Sequence, residues 1–192
     1  GEGEVTPGAS TLENHGDLKR IGNNSPRYRV GLNLDAAWKG IDFSIFFQGV
    51  LKRDWMFDAG DPYFWGAGSG MWQAACFEEH MDYWTPENTD AYYPKPYFNE
   101  TKNQQAQDAY MQKASYLRCK NIQLGYTLPT HITEKAGISN CRIYLSCDNL
   151  FTITGLSSVY DPEAFGSYDG YGTSGKTYPL QRTISVGVNL NF

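Results

Sequence analysis

The sequence predicts an all-β fold, an antiparallel meander whose strands form part of the wall of a transmembrane β-barrel. Three observations predict it. Over residues 183–192, Ile184, Val186, Val188, Leu190 and Phe192 alternate without a break with Thr183, Ser185, Gly187, Asn189 and Asn191. Successive side chains of a strand point to opposite faces, so one face is wholly apolar and the other small or polar. Four earlier segments share this period. The connections between the strands alternate short and long, as in outer-membrane barrels with short periplasmic turns and long extracellular loops. The last strand alone also fits a half-buried strand of a soluble sheet; the other segments and the connections favour the barrel wall.

Residues 1–26 are rich in Gly, Glu, Asn and Ser without a period and read as a loop. The first strand, about 27–38, carries Tyr28, Val30, Leu32 and Leu34 on one face. After Lys39-Gly40 the second, about 41–51, returns through Ile41, Phe43, Ile45 and Phe47 opposite Asp42, Ser44 and Gln48, a hairpin with a short turn. Phe46 falls on its polar face. From 52 to 114 the period vanishes and aromatic residues gather among Pro, Gly and Asp. A loop this long inside a compact domain points to function, and a short helix is expected around 104–113. Its aromatic residues either pack on one another or stack on a ligand, with Trp55, Trp65, Trp72 and Trp84 as the candidate ligand or lid contacts. The third strand, about 115–128, sets Ile122, Leu124, Tyr126 and Leu128 against Asn121, Gln123, Gly125 and Thr127, and Pro129 ends it. A polar connection with a helical turn leads to the fourth, about 141–153. A second long loop, 155–179, precedes the last strand, about 180–192.

Composition narrows the function classes. A net charge of -5, without any Lys/Arg run, argues against a nucleic-acid surface. No run approaches the roughly 18 apolar residues of a spanning helix. The opening Gly1-Glu2-Gly3-Glu4 lacks the basic and apolar regions of a signal peptide, so the sequence reads either as unexported or as lacking its original beginning. Cys76, Cys119, Cys141 and Cys147 lack zinc-site spacing and read as small apolar fillers, with a bridge involving Cys76 left open.

Residues 170–177 formally fit G-x-x-x-x-G-K-[ST], but Tyr168-Asp169 before them and Tyr178-Pro179 after them are not the strand and helix that a phosphate loop needs. Glu78, Glu79, His80 and Asp82, or Asp58 with Asp61, offer oxygen ligands with nothing to fix their geometry, and read as solvated loop charges. Asp161 and Glu163 are spaced by Pro162 and read as loop-structuring residues rather than a glycosidase pair. The sequence shows no catalytic residue, cofactor or metal site.

The order of several motifs carries a resemblance. Asp17-Leu18-Lys19-Arg20-Ile21-Gly22-Asn23-Asn24-Ser25-Pro26-Arg27-Tyr28, Trp38-Lys39-Gly40-Ile41-Asp42-Phe43, Tyr83-Trp84-Thr85-Pro86-Glu87-Asn88, Leu124-Gly125-Tyr126-Thr127-Leu128-Pro129, Asp148-Asn149-Leu150-Phe151-Thr152 and Tyr160-Asp161-Pro162-Glu163 succeed one another in register. Together they resemble the C-terminal barrel segment of SusC-like TonB-dependent outer-membrane transporters of Bacteroidetes. The resemblance implies a barrel of about 22 strands in the complete protein, of which this chain is a C-terminal fragment without the plug domain. It also implies import of glycans, or less often peptides, with a SusD-like surface lipoprotein as lid. TonB would drive import through an N-terminal part missing here. The terminal strand, with Ile184, Val186, Val188, Leu190 and Phe192, would be the signal read by the barrel assembly machinery. A secreted carbohydrate-binding β-sandwich using the same aromatic residues is the competing reading.

Overall fold

The computed structural model describes residues 6, 8–9, 11–69, 75–98, 100, 102–164 and 178–192. Its frame is one antiparallel sheet of β1 (Arg29–Trp38), β2 (Ile41–Val50), β3 (Asp54–Trp55), β4 (Gln112–Thr127), β5 (Asn140–Asp148), β6 (Thr152–Gly155) and β7 (Thr183–Asn191). The order across it is β1-β2-β4-β5-β7, with the short β3 and β6 both paired to β4. The first hairpin closes on two residues: Trp38 faces Ile41, and Lys39 and Gly40 both take positive φ, 46° and 85°. Such a turn has the twist that antiparallel strands require.

The register gathers the apolar positions on one face. Leu34, Ile45, Ile122, Cys147 and Ile184 form one row across the five main strands, and Trp38, Ile41, Tyr126, Ile143 and Val188 form another. Among the described residues there is one sheet, and its apolar face is uncovered: Ile184, Val186 and Val188 are 67%, 75% and 55% exposed. A β-sandwich would pack a second sheet about 10 Å away against such a face. The opposite face is polar, with Asp35, Ser44, Gln123, Ser146 and Ser185 in one row. Phe46 is an exception there, its ring lying against Gly31.

The strand expected at 141–153 is broken. Asp148 faces Asn121 and Thr152 faces Arg118, so three residues of one strand oppose two of β4. Asn149 absorbs the extra residue at φ 51°, a left-handed conformation that Asn tolerates better than most residues. On its other side β4 is itself bulged, because Phe46 faces Asn121 while Phe47 faces Cys119. Bulges re-aim side chains. Here the bulge turns Lys120 toward the polar side, where it meets Glu163.

Both short connections and the end of β7 lie at one end of the sheet, and both long loops at the other. The connection after β4 contains the expected helical turn, α1 (Thr130–Thr133), followed by a 3-10 turn at Glu134–Ala136. The helix expected around 104–113 is only a 3-10 turn at Asp108–Tyr110, because Gln112 already pairs with Trp55 and begins β4.

Candidate functional site

The packed core of the chain lies in the long loops rather than in the sheet. Trp55, Phe57, Phe64, Trp65, Tyr93 and Tyr110 from the first loop region meet Ala114 of β4 and Leu156 and Tyr160 of the second loop. Phe57 stacks between Phe64 and Tyr160, at centroid distances of 4.8 and 4.1 Å. The Trp65 ring meets Phe64 and Tyr110 edge to face, and its Nε1 donates to the Asp58 carbonyl at 2.9 Å. Edge-to-face and offset aromatic pairs add specific geometry to the area they bury.

Polar side chains brace this core. Asp61 accepts hydrogen bonds at one oxygen from the Tyr63 and Phe64 N–H groups and from the Tyr160 hydroxyl, at 3.0, 2.9 and 2.7 Å. Burial nevertheless holds the Asp61 carboxyl above its ordinary pKa, since it outweighs these donors. Burial, with the Asp61 charge beside it, drives the Tyr160 hydroxyl far up. Gln104 accepts from the Gly60 N–H and donates to the Gly68 carbonyl. His80 Nδ1 accepts from the Phe77 N–H, which leaves Nε2–H to donate to the Phe64 carbonyl at 3.1 Å. The carboxylates and His80 considered as cation ligands thus have structural partners at Asp61 and His80, and no metal-binding cluster occurs among the described residues.

A second set of contacts fastens the loops to the polar face of the sheet. Arg118 of β4, its side chain 4% exposed, donates from Nη2 to Asp161 at 2.6 Å, and Lys120 donates to Glu163 at 3.0 Å. The other Asp161 oxygen accepts from the Leu180 N–H at 2.9 Å, just before β7. Burial alone would raise the Asp161 carboxyl. The Glu163 N–H, the Arg118 guanidinium and the Leu180 N–H prevail and hold it below its ordinary value. Residues 160–163 therefore join the aromatic core, the wall of β4 and the entry to the last strand. Sequence alone shows the Asp161-Pro162-Glu163 motif but not its partners, which lie 43 residues away.

The four candidate tryptophans fall in different places. Trp55 and Trp65 are 9% and 5% exposed and pack in the aromatic core. Trp84 is 38% exposed on the outside of the same loop, near the exposed Tyr83 and Tyr92. Trp72 and the Gly-rich stretch 170–177 lie outside the described residues. Ile184, Val186, Val188 and Leu190 share the apolar face of β7, which among the described residues pairs with β5 alone. Phe192 beyond them is exposed. The four cysteines are free, Cys76 exposed and the other three buried.

No family model matches the chain. It is 31% identical over 183 residues to TonB-dependent receptor P3 of Formosa agariphila, covering 92% of this chain and 17% of the receptor. It is 27% identical over 183 residues to TonB-dependent receptor P26 of the same organism, covering 92% of this chain and 18% of the receptor. The chain thus spans less than a fifth of the length of these curated relatives. The solved structure of the RagAB peptide transporter superposes with a TM-score of 0.68 at 26% identity, over 91% of this chain and 18% of that one. With the uncovered apolar face and the long-loop assembly, these similarities liken the chain to a β-barrel segment of TonB-dependent outer-membrane receptors, matched over less than a fifth of their length.

Proposed function

We propose that the complete receptor imports oligosaccharides or peptides across the outer membrane, capturing them at the long-loop end with a SusD-like surface lipoprotein and drawing energy through TonB. The observation that carries this reading is the division of one sheet into an uncovered apolar face and a polar face, with a packed aromatic assembly over one end. An apolar face of that extent suits lipid, and the polar face suits a wet lumen. The similarity to a peptide transporter supports peptides as cargo.

Contact with the lipoprotein or the cargo falls to the exposed rings, with Trp84 foremost, because Trp and Tyr anchor interfaces and stack on sugars. Trp72 belongs to the same proposal. Trp55 and Trp65 hold the platform. The test compares Trp84→Ala with Trp65→Ala in the complete receptor, reading uptake of labelled oligosaccharide and peptide pools, lipoprotein co-purification and loop protection from protease. Trp84→Ala is expected to lower co-purification or uptake with the loop still protected, whereas Trp65→Ala exposes the loop. Normal uptake and co-purification with Trp84→Ala would remove this contact.

A further inference from the structure

Beneath the second loop, the polar face holds a cavity of about 240 Å³ between the ends of β1, β2 and β4 and the segment that contains Pro162 and Glu163. Arg29, Gln48, Val50 and Tyr116 line it from the sheet, and Arg53 and Pro26 from the chain beside it. Arg29 faces Val50, which faces Tyr116, so these side chains project from the polar side of three adjacent strands.

The charges around the cavity do not balance. Asp161 and Glu163 are matched by Arg118 and Lys120. Arg29 adds a further guanidinium, without an ion pair or hydrogen bond from its side chain among the described residues. Arg53 brings another, its Nε donating to the Asn24 carbonyl and its guanidinium lying 4.7 Å over the Trp55 ring. On the same polar face Arg118 lies across the register from Gln48, and its buried Nη1, like Glu163 Oε1, has no hydrogen-bond partner. The Arg29 guanidinium at the edge of this cavity attracts a planar anion that accepts from two N–H groups at once.

We propose that this cavity is a carboxylate-binding station on the inner wall, where an acidic group of the cargo docks on Arg29 as it passes beneath the loops. The inference rests on the transporter reading and deepens it by giving the cargo a charge. A carboxylate has two sources, an acidic peptide or a uronic-acid glycan. The test therefore uses four probes on the complete receptor purified from outer membranes: hexaglutamate and hexaglutamine, and hexagalacturonate and its methyl ester.

Calorimetry is expected to show one acidic probe binding at least about tenfold more tightly than its neutral twin, the scale of one charge-assisted hydrogen bond. Arg29→Gln erases that preference without weakening the neutral probe, and Arg29→Lys keeps part of it. Gln48→Glu, which sets a carboxylate beside Arg29, erases it independently should Arg29→Gln not fold. The peptide pair and the glycan pair identify the source. Failure of both acidic probes to outbind their twins, or a preference unchanged in Arg29→Gln and Gln48→Glu, would overturn the station. Absence of a heat-modifiable barrel would instead overturn the transporter reading on which it rests.

Discussion

Arg142 on β5 bonds Asp42 on β2 across the full width of the intervening strand β4, and it does so over Gly125. Its Nε donates to Asp42 at 2.9 Å, Nη2 reaches the second carboxylate oxygen, and Nη2 also donates to Gln123 at 2.9 Å. A side chain at 125 would close this route, because its Cβ would stand 2.5 Å from both Arg142 Nη2 and Asp42 Oδ1. Gly125 is thus required for its open space rather than for a left-handed backbone.

Gly125→Ala in the complete receptor should therefore lower the temperature at which the barrel loses its heat-modifiable form. Arg142→Gln should act in the same direction. The double variant should be little worse than either single one, since both remove the same interaction. Additive losses in the double variant would show that the glycine and the ion pair act separately.

Acid should release the second loop from the wall. Asp161 has its carboxyl below the ordinary 3.8, so the stability it contributes is complete above that value and is lost as pH falls through the lower, folded one. Asp61 works in the opposite sense: its carboxyl is raised, so its contribution is complete below the ordinary value and is lost as pH rises through the raised one. Pepsin digestion of the complete receptor from about pH 4 downward separates the two. Cleavage near residues 157–164 should rise with acid in the wild type. Asp161→Asn should be cut more readily throughout and show no such step.

Much of the frame was legible because a strand repeats every two residues. The faces of β1, β2 and β7 follow directly from alternation, as does the hairpin at Lys39-Gly40. The break at Asn149 was not legible, since one extra residue leaves the hydrophobic pattern of its neighbours almost unchanged. The fates of Trp55 and Trp84 were equally hidden, because a tryptophan in a long loop supplies buried area or an exposed ring with the same residue. Arg29 and Arg142 could be placed on a polar face from the sequence, whereas alternation from Ile122 puts Arg118 on the apolar face and only the bulge in β4 reverses it. The partners of Arg118 and Arg142 could not be placed, because each depends on strands or loops brought together only by the register.

The terminal strand should decide assembly. Val188 and Leu190 lie on the apolar face of β7, whose outer edge is unpaired among the described residues. An open edge is an aggregation hazard that barrel closure removes, and a charge on a lipid-facing strand is costly near the midplane, about 2–4 kcal/mol for Arg or Lys and less for Asp. Replacing both residues by Asp, or deleting Phe192, should reduce the protease-resistant barrel in outer-membrane fractions while the complete protein is still synthesised. Wild-type amounts from the double Asp variant would mean that this face does not meet lipid.

The most direct test asks what each face of β7 touches. Spin labels at positions 184, 186 and 188, and at 185, 187 and 189, would be placed one at a time in a cysteine-free form of the complete receptor reconstituted in bilayers. The first set should collide with dissolved oxygen, which concentrates in lipid, and resist a water-soluble nickel chelate, whereas the second set should do the reverse. Equal access at neighbouring positions, or the opposite alternation, would contradict the assignment of the apolar face to lipid and of the polar face to the lumen.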